Sequence, residues 1–190
     1  ESLAPALEAA INGHKLPEHV REITAEGIQH VKLIDATPIG INVRSTITTY
    51  AGVHDELRKL YAKSADAKEK GLKASDFSYN TGSLRCPGCD GTGSVSLDVQ
   101  FLPDVTIPCP DCRGSRYGKE AYSVKLTNKA GQSCSLPELM DMDVNSAIEF
   151  CGGMKTVCQK LQILRQLGLG YLTLGEETPS LSGGEAQRLK

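Results

Sequence analysis

The chain contains no tryptophan and few other aromatics, three phenylalanines and six tyrosines. A surface on which nucleic-acid bases stack is therefore not signalled. Nowhere does an apolar run approach the roughly 18 residues a membrane-spanning helix needs, so none is expected. The first residues show no basic stretch followed by an apolar one, so secretion is not signalled and the chain reads as cytosolic. Positive charge is not in excess: the formal net charge is −2. Any contact with a polyanion must then rest on a local patch or on a partner domain. No G-x-x-x-x-G-K-[S/T] string occurs, so no loop cradles nucleotide phosphates and no lysine reaches them. Solenoid-length repeats and low-complexity tracts are missing too.

What remains is ordinary for a globular chain. With 190 residues, 39% apolar and 23% charged, it can form one or two domains with a moderate core. The spacing predicts a helix over 3–11, with Leu3, Leu7 and Ala10 on one face. His30 to Asp35 alternates like a strand and runs into a turn at Pro38–Gly40. A helix is predicted from Asp55, carrying Leu57, Leu60 and Tyr61 and ending before Gly71. Its lysine- and acid-rich far end reads as a solvated face. From Asn80 to Lys119 glycine, proline and cysteine displace helical periodicity, and a segment so poor in apolar residues needs a staple. Strands are expected over 95–101 and 122–126. Helical pattern returns at Leu136, and its clearest helix is Lys155–Leu167, with Val157, Leu161, Leu164 and Leu167 as the apolar stripe and Gly168 as the stop.

The staple is written in the cysteines. Cys86-Pro-Gly-Cys89 is followed, after nineteen intervening residues, by Cys109-Pro-Asp-Cys112. Two residues between cysteines let both sulfurs face one ion, and two such knuckles complete a tetrahedron of thiolates, the preference of structural zinc. Gly88, Gly91 and Gly114 let the backbone turn tightly beside the sulfurs. A closed four-thiolate site leaves no position for water, so its expected role is folding: one structural zinc per chain. Disulfides and a redox C-x-x-C are the alternatives. Cys134, Cys151 and Cys158 lack paired spacing and read as inert thiols, and seven cysteines is an odd number for a disulfide framework.

Near the end stands Leu181-Ser-Gly-Gly-Glu-Ala-Gln-Arg188. Ser182 reads as an N-cap and Glu185, three residues on, as the other half of a capping box. Gly183 and Gly184 would let an anion approach exposed N–H groups at the positive end of the helix.

This string resembles the signature motif of ABC ATPases in the form used by the UvrA family of DNA-repair proteins. Ile34–Gly40, Ser78–Asn80, Phe101–Val105, Gly114–Tyr117 and Leu169–Leu172, with the cysteine framework, are similar to the second half of that family, in order. The resemblance implies a mixed α and β fold. Residues 1–50 would be part of an ABC core, and 51–190 a helical signature domain. Within it would lie a zinc-bound β-hairpin module over about 80–120 and the motif at 181–188. Ser182, Gly183, Gly184 and Glu185 would contact the γ-phosphate of ATP held by another domain. ATP and magnesium belong to the full-length protein alone, since neither a Walker A nor a Walker B motif is found here and this piece should not hydrolyse ATP. Damaged double-stranded DNA, a UvrB-like subunit and self-association as a dimer are the implied partners. Where the family has a metal-sensing glutamine, Ala36 stands, which suggests divergent coupling or a paralogue serving drug tolerance.

Arg44, Arg85, Arg113, Arg116 and Lys119 are the candidate contacts to DNA phosphates, although Asp90, Asp98, Asp104, Asp111 and Glu120 nearly balance them. From another functional class, Cys86–Gly93 also resembles the C-x-x-C-x-G-x-G repeat of DnaJ-type chaperones. Those carry four repeats for two zincs, whereas two pairs occur here.

Overall fold

A computed structural model of the chain describes residues 2–34, 37, 39, 42–97 and 105–190. Two compact units divide between Thr37 and Pro38. The sequence reading closes the first domain at 50; by packing, residues 43–50 lie within the second unit.

The first unit holds one helix, α1 (Leu3–Asn12), closed by Gly13 in the left-handed region at φ 68°. Its buried residues are Ala6 and Ala9, whereas Leu3 is 69% exposed. The buried stripe is thus displaced from the predicted face, because small side chains allow close approach and Leu3 is the first residue of the helix. Residues 30–34 form no strand, contrary to the alternation. Alternation marks a surface fit for half-burial, but a strand also needs a hydrogen-bonding edge, and among the described residues none pairs with it. Apart from Ile39, the predicted turn at Pro38–Gly40 lies outside the described residues, as does the position of Ala36.

The second unit is built of short helices, several with side-chain caps, and two small hairpins. Thr46 caps α2 (Ile47–Tyr50), forming a reciprocal capping box with Thr49. The predicted helix from Asp55 is two: α3 (Val53–Tyr61) and α4 (Ala65–Glu69), the second restarted by Ser64 as its N-cap. On α3, Val53, His54, Leu57 and Tyr61 share one stripe and are buried, while Lys63, Lys68, Glu69 and Lys70 face solvent. β1 (Ser94–Leu97) pairs antiparallel with β2 (Val105–Pro108), Ser94 opposite Pro108 and Leu97 opposite Val105. The rest of the strand predicted to Phe101, and most of Phe101–Val105, lie outside the described residues. Tyr122, expected in a strand, belongs instead to a 3-10 turn over Lys119–Ser123, and β3 (Lys125–Thr127) follows. It pairs with β4 (Ser133–Ser135).

Ser135 and Glu138 then cap α5 (Leu136–Met140), and Asp143 caps α6 (Val144–Phe150). α7 (Lys155–Gln166) buries Val157, Leu161 and Leu164, with Gly168 at φ 72° just beyond its end; Leu167 is half-exposed. Last comes α8 (Gly183–Leu189).

One core joins α2, α3, α5, α6, α7 and α8, running from Ile47 through Leu139 and Leu174 to Leu189. Its few aromatics are spent here: Tyr61, Phe77, Tyr79 and Tyr117 are fully buried. Each tyrosine hydroxyl finds a partner, as burial requires. Tyr61 donates to the Cys134 carbonyl at 3.0 Å, Tyr79 to the Arg44 carbonyl at 3.1 Å and Tyr117 to the Phe77 carbonyl at 2.8 Å. The cysteine pairs form a second, separate cluster, against which Val95 packs. Among the described residues no helix is long and apolar enough to cross a membrane.

Candidate metal centre and helix cap

The β1–β2 hairpin is what brings distant cysteines together. It starts one residue after Gly93 and ends one residue before Cys109, so each knuckle sits at the base of a strand. The Cys109 N–H donates to the Gly93 carbonyl at 2.9 Å, which continues the ladder into the knuckles. Each knuckle then turns on its own backbone: the Thr92 N–H reaches the Cys89 carbonyl at 3.0 Å and the Arg113 N–H the Cys109 carbonyl at 2.7 Å. Asp90 and Arg113 take left-handed φ values of 51°, and Gly91 follows at 77°. A Cβ on Gly91 would fall 1.7 Å from the Tyr79 carbonyl oxygen, so only glycine fits.

The result is four buried sulfurs, of Cys86, Cys89, Cys109 and Cys112, all within 4.8 Å of one another. Cys86 and Cys109 Sγ are 4.0 Å apart and Cys89 and Cys112 Sγ 3.6 Å apart. Thiolates about 2.3 Å from a tetrahedral ion stand about 3.8 Å from one another, so this donor set fits one metal ion. It does not fit disulfides, whose sulfurs lie about 2.05 Å apart; all seven cysteines are free.

Burial lifts the Cys86 thiol, and takes Cys112 up to about 12. At Cys89 burial also acts upward, but the Gly93 N–H at 3.3 Å and hydrogen bonds from Cys112 and Cys86 outweigh it and bring the thiol to about 7. Cys134 and Cys151 are buried with their thiols raised by burial to about 11 and 12, as inert cysteines should be; Cys158 is partly exposed.

At the start of α8, the Ser182 N–H donates to the Glu185 carboxylate at 2.7 Å and the Glu185 N–H to Ser182 Oγ at 3.4 Å. The capping box predicted from the string is formed. Gly183 and Gly184 are exposed, with nothing within 4 Å of where a Cβ would stand. Two anchors hold this helix. Tyr171 Oη donates a short hydrogen bond to Glu185, which holds that carboxyl below its ordinary range. Arg188 reaches the carbonyls of Gly184, Leu167 and Gly168 at 3.2 Å. The sequence reading missed both anchors, since Tyr171 and Arg188 carry no spacing that marks them as partners.

The five candidate basic residues separate. Arg85, Arg113 and Lys119 line one groove of about 880 Å³ beside the knuckles, which Asp111, Glu120 and Asp141 also line. Arg113 and Lys119 are exposed there. Arg44 and Arg85 both pair with Asp90, at 3.3 and 3.0 Å. Arg116 does not belong with them. It is 3% exposed, its guanidinium lies 5.2 Å over the Tyr79 ring and it pairs with Glu177 at 2.7 Å, so it faces inward and cannot meet a ligand from solvent.

No family model matches the chain. It is 43% identical over 168 residues to UvrABC system protein A of Thermus thermophilus, covering 87% of this chain and 17% of that protein. Against the proteins of that name from Helicobacter pylori and Clostridium acetobutylicum it is 37% and 41% identical, covering 100% of this chain and 20% of each. In structure it is similar to UvrA2 from Deinococcus radiodurans, with a TM-score of 0.74 and 39% identity over 82% of this chain and 18% of that one. The chain thus spans about a fifth of the length of the curated relatives it matches.

Proposed function

We propose, on the premise that this chain is a relative of one segment of UvrABC system protein A, that it is the metal-stapled signature segment of a cytoplasmic DNA-repair ATPase. One zinc ion, held by Cys86, Cys89, Cys109 and Cys112, folds the lobe; Ser182, Gly183 and Gly184 meet the γ-phosphate of a nucleotide carried by another domain; and the lobe faces damaged duplex DNA. The observation that carries this reading is the coexistence of four clustered sulfurs and an open, glycine-fronted helix cap in one packed unit.

Zinc is the ion that suits four thiolates and no other ligand. A bound zinc supplies charge neutralisation and a crosslink; the chain does the rest. The Gly93 N–H and the knuckle turns orient the sulfurs, and their burial keeps water from them. At the cap, the Ser182 and Glu185 N–H groups are spent on the capping box, while among the described residues the N–H groups of Gly183 and Gly184 have no acceptor within the protein. An oxyanion of phosphate fits there because no side chain obstructs it. ATP and magnesium enter with the rest of the protein. So do the Walker motifs, the ABC core to which the N-terminal part contributes, the dimer partner and a UvrB-like subunit.

DNA contact falls to Arg113 and Lys119 in the groove, with Arg85 and Arg44 at its edge and partly held by Asp90. Such contacts bind phosphates without reading sequence. In the full-length protein, Arg113→Ala with Lys119→Ala should weaken duplex binding and reduce the salt slope of log K by about 0.9 for each phosphate no longer neutralised. An unchanged slope would remove the groove from this role. Metal analysis should find one zinc per chain, and two would favour the DnaJ-like alternative. One cysteine cluster among the described residues favours the first. The drug-tolerance reading rests on Ala36, which lies outside the described residues, and nothing else here favours it.

A further inference from the structure

We infer that Arg116 and Glu177 lock the metal lobe to the chain leading into the α8 cap, so that metal occupancy and the placement of Ser182 are thermodynamically coupled. The inference rests on the proposal that the cysteine cluster holds a metal ion, and it assigns Arg116 and Glu177 as positioning residues.

Arg116 follows the second knuckle by four residues and is bound to the first. Its carbonyl accepts from the Cys86 N–H at 2.9 Å, and its Nη1 donates to the Gly91 carbonyl at 3.4 Å. It holds φ at 70°, a conformation unusual for a side-chain-bearing residue and sustained only where its surroundings fix it. The same guanidinium reaches away from the knuckles. Nη2 donates to the Val43 carbonyl at 2.9 Å and to Glu177 Oε1 at 2.7 Å. Glu177 opens the 3-10 turn Thr178–Ser180, which delivers Leu181 and the Ser182 cap.

A short strap, residues 43–47, runs between the two sides. Arg44 ties it to the first knuckle by donating to the Asp90 carbonyl at 2.8 Å. On the other side the Thr178 N–H donates to the Ser45 carbonyl at 2.9 Å, Thr46 bridges Glu177, and the Ile47 N–H donates to the Glu176 carbonyl at 3.0 Å. The knuckles and the lead-in to α8 therefore share one strap, with a buried arginine crossing beside it. Without Glu177, Arg116 would keep its buried charge and lose its carboxylate, which is the costly way to break such a pair. The ion fixes the knuckles that hold Arg116, and Arg116 fixes Glu177. By linkage, anything that holds the α8 lead-in in place must also tighten metal binding.

The test uses the full-length, zinc-loaded protein with Glu177→Gln, and Glu177→Asp as the charge-conserving rescue. Two readouts are followed: zinc release to a chromophoric chelator, and amide exchange over residues 178–189 by mass spectrometry. Glu177→Gln should keep stoichiometric zinc, release it at least about 5-fold faster and speed exchange over 178–189 by a similar factor. Glu177→Asp should restore both in part. Zinc-stripped wild type should show the same faster exchange over 178–189, while residues 144–166 on α6 and α7 keep theirs. If Glu177→Gln shifts neither readout by more than about twofold, or speeds release alone, the coupling is overturned. Should that variant fail to fold, the wild type decides: equal exchange over 178–189 with and without zinc overturns it as well. A wild-type protein without stoichiometric metal would instead bring down the metal reading on which the coupling stands.

Discussion

His54 shows how a single buried side chain sets a pH limit. It is 3% exposed, and its Nε2 lies 2.9 Å from Tyr117 Oη. That hydroxyl spends its one hydrogen on the Phe77 carbonyl, so Nε2–H is the donor to Tyr117. Burial first, then the Arg58 charge, lowers its pKa from 6.5 to about 4. The unfolded chain therefore takes up a proton at a pH where the folded one does not. Stability should be level above pH 6.5 and fall by about 3 kcal/mol, to order of magnitude, between pH 6.5 and 4. His54→Gln should flatten that part of a denaturant-midpoint profile, and an unaltered profile would show that other groups set it. Gly91 is the other sensitive residue. Gly91→Ala would push a carbon against the Tyr79 carbonyl at positive φ, costing about 2–4 kcal/mol and lowering the Tm by roughly 5 °C or more, measurable by calorimetry. The sequence marked Gly91 as a turn glycine beside the sulfurs; the carbonyl it must clear, contributed by Tyr79, was not legible.

Among the elements, α8 is seven residues long and too short to stand by its own propensity. Its cap, its two anchors and the burial of Ala186 and Leu189 hold it. Ser182→Ala removes one half of the capping box and should cost about 1 kcal/mol of local stability, read as faster amide exchange confined to α8. Tyr171→Phe should do the same by freeing the Glu185 carboxylate, and a null effect would show that Arg188 alone suffices. The capping box was legible because Ser and Glu at that spacing satisfy each other's backbone locally. Strands were harder to read. The alternation at His30 predicts an edge that finds no partner among the described residues, and Tyr122 was drawn into a 3-10 turn. Pairing depends on a distant segment, which periodicity does not contain.

For the molecule as a whole, the separation of the cysteine cluster from the apolar core has a consequence. Removing the metal, or replacing Cys109 with Ser, should unravel residues 86–116 while much of the helical signal by circular dichroism persists, because Leu57, Leu139, Leu161 and Leu174 pack in the main core and not on the sulfurs. A single cooperative loss of all helix on chelation would show that the lobe and the core fold as one. The groove, the knuckles and the α8 cap lie in the same unit.

What the sequence determined by itself is whatever short-range chemistry dictates. Cysteines separated by two residues point sulfurs at one place, Ser and Glu separated by two residues close a helix end, and apolar residues at helical spacing face one core. What the tertiary structure decided is which charges are spent inside. Arg116 and Arg113 are three residues apart and read alike as phosphate contacts. The fold turns one into a buried tie to Glu177, sixty-one residues away, and leaves the other in solvent. An arginine's spacing does not record what will surround it. Its partner is chosen by the way the knuckles, the strap and the lead-in to α8 close on one another.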